Sequence, residues 1–232
     1  LFGVALEAWP ARRIRPLGLI GISLVAWLAA AAFNIELNGD KREASYAPPV
    51  ATEVFDLTAW TARSWQEVPP RRVDLSGKSG EPFVAQWVGP LASLEDRVKS
   101  QGYAILPPWS WTAALNYSDP HAHFAAVPPR PLLHEGLGAR LTAVLPDPAN
   151  RDRRLVLRAF KTGDAVTVNG REEPVFVVSL LLEQNAPRFK LFTLPRSTAA
   201  PEPDTSRLLA ALAGTVVAGT EAGRAPVILA AP

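Results

Sequence analysis

The longest apolar run comes early. From Leu17 to Phe33 the chain reads LGLIGISLVAWLAAAAF, 17 residues without a charge, and Ile35 extends it to 19 across a single polar residue, Asn34. At about 1.5 Å per residue, such a helix spans roughly 28 Å, close to the hydrocarbon thickness of a bilayer. It is apolar all round, with no polar face for water, and Arg12, Arg13, Arg15 and Pro16 stand before it. The pattern predicts a transmembrane helix over 17–35 preceded by a juxtamembrane segment over 1–16. A cleaved signal peptide competes with this, because a basic stretch, an apolar core and the small run Ala29–Ala32 are what such a signal needs. A buried core helix is the third reading. Three basic residues before the run against Lys41 and Arg42 after it place the following body on the far side from the cytoplasm. For a bacterial-looking chain rich in Ala, Arg and Pro, that means the inner membrane and the periplasm.

Residues 36–51 are polar, then Pro-rich, and predict a tether. A body follows over 52–195. Arg71–Leu75 and Pro82–Val88 predict strands around a loop, SGKSGE. Pro90 opens a helix with Leu91, Leu94 and Val98 on one face, and Gly102 is placed to end it. Tyr103–Leu106 predicts a short strand, WSWTAALNY a short helix, and the Pro-broken run 118–131 a loop. Ala139–Leu145, Arg153–Phe160 and Pro174–Leu182 predict strands. In Arg153–Phe160, Leu155, Leu157 and Ala159 alternate with Arg154, Val156 and Arg158. Asn169-Gly170 predicts a tight hairpin turn, since both positions tolerate positive φ. PVFVVSLLL is apolar on both faces, which predicts a central, buried strand. Arg188–Leu194 alternates and is expected to pair near it. Residues 196–232 are expected to form a linker, a short helix over Thr205–Ala213 and a tail with a strand at Pro226–Ala230. The fold class expected is α+β, a mainly antiparallel sheet with a few short helices, preceded by the one N-terminal transmembrane helix.

Composition narrows the chemistry. With 48% hydrophobic and 20% charged residues the chain is not disordered. The absence of Cys excludes disulfides, thiolate zinc, iron–sulfur clusters and a cysteine nucleophile. A net charge of +2 gives no nucleic-acid footprint. There is no Met, position 1 included, and the chain is expected to be a piece of a longer or processed polypeptide.

The candidate metal ligands are His121, His123 and His134, with Asp119 and Glu135 nearby. Imidazoles at i and i+2 share a face of extended chain, and a third His with a carboxylate completes a zinc or iron set. The spacing matches none of the established metal signatures, and the alternative is a polar loop whose His residues are solvated or capping. Gly77-Lys78-Ser79 resembles a fragment of a phosphate-cradling loop. The Gly such a loop needs five residues earlier is Arg72, so the triplet predicts a hairpin turn. No Gly-x-Ser-x-Gly elbow occurs. The pairs Glu172-Glu173 and Glu95-Asp96 fall on a turn and a solvated helix face. Glu183, following the central strand, is the acid of most interest, with the solvent edge as its ordinary place. Trp60, Trp65, Trp87, Trp109 and Trp111 suit a core better than a ligand groove. Asn116-Tyr117-Ser118 fits a glycosylation sequon. No catalytic residue and no cofactor are assigned.

Several blocks together form a pattern. They are Trp65-Gln66-Glu67-Val68-Pro69, Arg72-Val73-Asp74-Leu75, Gln86-Trp87-Val88-Gly89-Pro90-Leu91, Pro107-Pro108-Trp109, Leu115-Asn116, Pro131-Leu132-Leu133-His134-Glu135-Gly136 and Leu155-Val156-Leu157-Arg158. Over roughly residues 52–213 the chain resembles the LssY-type C-terminal domain. That domain is found at the end of bacterial membrane proteins with a DedA-type or type 2 phosphatidic acid phosphatase region. The resemblance implies a non-catalytic accessory domain in cis to a membrane lipid-phosphate phosphatase of undecaprenyl-diphosphate or phosphatidate type, binding a partner or gating substrate. The catalytic blocks of such a phosphatase are absent from this sequence. Two other functions stay open: a membrane-tethered metal-dependent hydrolase using the His cluster, and a secreted binding domain released from a signal peptide.

Overall fold

The structure is a computed structural model. It describes residues 21–33, 53–62, 64–108, 110, 113, 115–118, 124–185, 187–188, 192–193, 195–212, 215–218 and 225–230. The chain divides into two units, Leu1–Ala47 and Pro48–Pro232.

In the first unit residues 21–33 form helix α1. Ile22, Leu24, Val25, Trp27, Leu28 and Phe33 are each more than half exposed along it. Among the described residues no helix is long and apolar enough to cross a membrane. Residues 17–20 and 34–35 of the expected span lie outside the described residues.

The second unit is built on a sheet. In chain order its elements begin with β1 (Glu53–Asp56), α2 (Leu57–Ala62), β2 (Arg71–Val73), β3 (Ser79–Val88), α3 (Leu91–Ser100) and β4 (Ala104–Ile105). They continue with β5 (Leu133–His134), β6 (Leu137–Gly138), β7 (Leu141–Pro146), β8 (Arg153–Val168), β9 (Arg171–Gln184), β10 (Pro187–Arg188) and β11 (Phe192–Thr193). The last are β12 (Arg196–Ala199), α4 (Glu202–Leu212), β13 (Thr215–Ala218) and β14 (Val227–Leu229). Among the described residues, ten strands join in one sheet, whose spine runs β13-β14-β3-β9-β8-β7-β4; β1 adds to β8, β12 to β9 and β2 to β3. The β14–β3 and β1–β8 pairs are parallel and the rest antiparallel, so the chain has the α+β class with a mainly antiparallel sheet.

The long β8–β9 hairpin organises this sheet. Asn169 and Gly170 take φ of 51° and 77°, the left-handed values a two-residue hairpin turn needs to match strand twist. A bulge between Lys161 and Ala165 shifts the register, and β8 runs on to Val168 beyond the strand expected to stop at Phe160. PVFVVSLLL lies within β9, buried in the middle of the sheet as its apolar character on both faces predicts.

Helices cover one sheet face. Leu94 and Val98 of α3 and Leu208 and Leu212 of α4 pack on Ala85, Trp87, Leu157, Ala159, Val178, Leu180 and Ile228. Pro90 stands at the N-cap of α3, and Gly102, at φ 86°, ends it with its N–H on Lys99 O. The Arg97 guanidinium lies 5.5 Å from the Trp87 ring centroid. The other face is covered by the short helix α2, a 3-10 turn over Ser64–Gln66 and irregular chain. Trp60, Trp65 and Val68 pack there on Phe83, Val88, Phe160, Val175, Val177 and Val227. Trp60, Trp65 and Trp87 are thus core; Trp109 and Trp111 lie outside the described residues.

The later chain differs from expectation in part. Arg196–Ala199, expected as linker, is an edge strand on the end of β9, with Ser197 opposite Glu183. Of the strand expected over 188–194, Arg188 pairs with Phe192 in a two-residue ladder between β10 and β11, while 189–191 and 194 lie outside the described residues. Within 196–232 the expected helix and terminal strand form, α4 packing on the core and β14 joining β3 in the same unit as 52–195. Of the helix expected in WSWTAALNY, Ala113 is helical and 115–117 belong to a 3-10 turn that runs to Ser118, while 109, 111, 112 and 114 lie outside the described residues.

Gly89 joins β3 to α3 at φ 143°, and a Cβ there would meet the Cβ of Ala230, whose N–H donates to Val88 O at 2.9 Å. Gly89→Ala is expected to cost about 1–3 kcal/mol through strain and overpacking. Urea melts measure it, and an unchanged midpoint would show that the two segments do not approach so closely.

Candidate functional site

The irregular face holds the charged interior of the unit. Arg154 on β8 stands opposite Glu183 on β9, and Arg158 stands opposite Ser179. Four residues apart on each strand, these side chains share a face. Arg154 places Nη2 2.8 Å and Nε 3.1 Å from Glu183 Oε2, while Arg158 Nη2 lies 3.1 Å from Oε1. The three residues are 3%, 2% and 0% exposed, so a carboxylate expected at the solvent edge is sealed in the core between two guanidiniums. Burial lowers the Arg158 guanidinium from its ordinary value, and the adjacent Glu183 carboxylate opposes that shift.

The same arginines hold a strap, residues 124–134, that crosses this face. Its prolines, Pro128, Pro129 and Pro131, lack the N–H groups that a strand ladder uses, so its carbonyls need other donors. Arg154 Nη1 donates to Phe124 O at 3.0 Å and to Val127 O at 2.6 Å. Arg158 Nη2 donates to Arg130 O at 2.8 Å, and Arg72 Nη1 to Leu133 O at 2.8 Å. The Tyr117 hydroxyl reaches Pro128 O and Pro129 O, and Asn116 Nδ2 reaches Ala126 O. Arg72 is itself paired to Glu81 at 2.9 Å, and the Arg154 guanidinium lies 4.3 Å from the Phe124 ring centroid. Side-chain donors thus do for the strap what a neighbouring strand does in a sheet.

His134 closes the strap. It is 3% exposed, its Nδ1 accepts the Val73 N–H at 3.2 Å, and its ring meets Phe83 and Phe160 edge-on. His121 and His123 lie outside the described residues, so the structure does not bring the three imidazoles together. Among the described residues, no group of three or more metal-ligating side chains is placed to hold a metal. Burial holds the His134 imidazole below its ordinary 6.5, with the Glu135 charge opposing. With the folded value depressed, the unfolded chain takes up the extra proton. The contribution of His134 to stability is therefore present above about pH 6.5 and falls as the pH drops through the depressed value. The melting-temperature advantage of the wild type over His134→Leu is expected to narrow from about pH 7.5 to about pH 5.5. A gap independent of pH would contradict a neutral imidazole accepting from Val73.

The Gly77-Lys78-Ser79 triplet is a turn. Asp74 Oδ1 accepts from Ser76 Oγ at 2.6 Å, Ser76 N at 2.9 Å and Lys78 N at 3.0 Å, which lowers the Asp74 carboxyl below its usual value, the Ser76 hydroxyl contributing most. Gly77 supplies the positive φ. These amides face an internal carboxylate, not a phosphate.

Arg72, Arg154 and Arg158 were not among the residues the sequence singled out for chemistry. The arrangement they form with Glu183 binds and orients chain: both carboxylate oxygens are held, and the guanidiniums are aimed at backbone carbonyls. No protein-family model matches the chain, and neither a curated protein nor a solved structure matches it.

Proposed function

We propose that this chain is a membrane-anchored, non-catalytic accessory domain, its α+β body carried on the apolar segment 17–35. The observation that carries the reading is α1, whose large apolar side chains are exposed along the helix and are preceded in sequence by Arg12, Arg13 and Arg15. A lipid bilayer is the environment in which such a surface is stable. The non-catalytic part rests on the interior charges: Glu183, Arg154, Arg158 and Arg72 are engaged in holding the strap.

The resemblance to the LssY-type domain extends this to a partner. The body acts beside a membrane lipid-phosphate phosphatase region in cis, on the periplasmic side of a bacterial inner membrane, by binding a partner or gating substrate.

Expressed in bacteria, the chain is expected to pellet with membranes at its full mass and to resist extraction by alkaline carbonate. Recovery of a shorter, soluble product cleaved near Ala29–Ala32 would support the secreted alternative instead. Robust phosphoester turnover by the purified chain would overturn the non-catalytic reading.

A further inference from the structure

Beneath the strap, three buried polar atoms on the irregular face have no hydrogen-bond partner within the described chain: Arg158 Nη1, Ser179 Oγ and Glu81 Oε1. Trp60 Nε1 and Gln86 Oε1 on the same face are also unpartnered, as are Arg153 Nε and Asn185 Oδ1 elsewhere among the described residues. Arg158 is 2% and Ser179 0% exposed, and the Glu81 side chain is 9% exposed. Leaving a donor or acceptor of this kind unmet costs about 1–3 kcal/mol, more for a charged group.

The register puts the three on one face of neighbouring strands. Ser179 stands opposite Arg158 on one side and opposite Phe83 on the other. Glu81 lies two residues before Phe83 on β3, and its charge is felt at the Arg158 guanidinium. Their chemistries are complementary in kind: Arg158 offers only a donor, Glu81 Oε1 only an acceptor, and the Ser179 hydroxyl offers either.

We infer that Arg158, Ser179 and Glu81 form an internal water site beneath the strap. The water accepts from Arg158 Nη1, donates to Glu81 Oε1 and takes its third bond with the Ser179 hydroxyl, within the two to four partners a buried water requires. This water joins two networks that otherwise stand apart, Arg72–Glu81 and Arg154–Glu183–Arg158. A simple halide suits the site less well, because the Glu81 carboxylate repels it and it supplies no donor for Oε1.

A crystal structure of the full chain in detergent, at a resolution that shows ordered water, tests this directly. The expected result is one water within about 2.7–3.2 Å of Arg158 Nη1, Glu81 Oε1 and Ser179 Oγ. A direct Arg158–Glu81 ion pair that excludes water would overturn the inference. So would an anomalous peak at this position after a bromide soak, which would make it an anion site. In Ser179→Ala the water is expected to remain on two partners; its loss would show that the two charged groups alone do not define the site.

Discussion

Glu183→Gln is expected to lower the melting temperature of the body by about 10 °C, from a loss of about 3–5 kcal/mol. Gln keeps the size and shape of the side chain, so cavity formation plays no part. What changes is charge: Arg154 and Arg158, 3% and 2% exposed, are left facing each other without the carboxylate that both now contact. The structure relieves the repulsion between the two guanidiniums by opening or by admitting water. Thermal and urea melts of the wild type and the variant measure the loss. A variant melting within about 2 °C of the wild type would mean that the carboxylate is not the counter-charge the geometry describes.

A companion variant separates charge from clamping. Replacing a buried ion triad wholesale by apolar residues of similar volume is often neutral or stabilising. Here Arg154 and Arg158 also donate to the carbonyls of Phe124, Val127 and Arg130. Arg154→Met, Arg158→Met and Glu183→Leu together are therefore expected to keep the sheet and release the strap. Circular dichroism would stay close to wild type while proteolysis quickens between residues 124 and 134. If the strap remained protected, its hold would have to come from apolar contacts and from Tyr117, Asn116 and Arg72.

The elements legible in the sequence are those in which a local signal and burial agree. Asn169-Gly170 specifies its hairpin through backbone conformation, and β9 is apolar on both faces because both are covered. Pro90 and Gly102 bracket α3 through their own dihedral limits. The ion triad was hidden for two reasons. Arg154 and Arg158 alternate with Leu155 and Leu157, the usual mark of a strand with one face in water, whereas here the polar face looks inward to a strap rich in carbonyls. The register also resists extrapolation. Counting back from Val168 opposite Arg171 would set Glu183 opposite Val156; the bulge between Lys161 and Ala165 moves it two residues, to Arg154. A shift of two preserves the face, so the triad depends on an irregularity that the alternation pattern does not encode. β12 was hidden differently: it adds to an edge through backbone bonds, and Arg-Ser-Thr-Ala carries too little apolar character to signal a strand.

Val25→Arg together with Leu28→Arg is expected to move the chain from the membrane pellet to the supernatant. Both positions lie near the middle of the 17–35 segment and are 66% and 52% exposed on α1. Their replacement therefore removes little protein packing, and the effect measures the environment around the helix. An arginine at the centre of a membrane-spanning helix costs about 2.5–3.5 kcal/mol on insertion scales. Two such residues on a segment of only 19 leave snorkelling as the main relief, and neither stem reaches an interface easily from that depth. The alternative homes for the helix predict other outcomes. A helix docked on protein would make the arginine variant unfold or aggregate, while a segment removed by processing would leave the mature protein unchanged. Carbonate extraction followed by intact mass distinguishes all three. The membrane reading requires that the double variant leave the bilayer uncleaved while the body retains the wild-type melting temperature, because the strap, the ion triad and the sheet all lie within Pro48–Pro232.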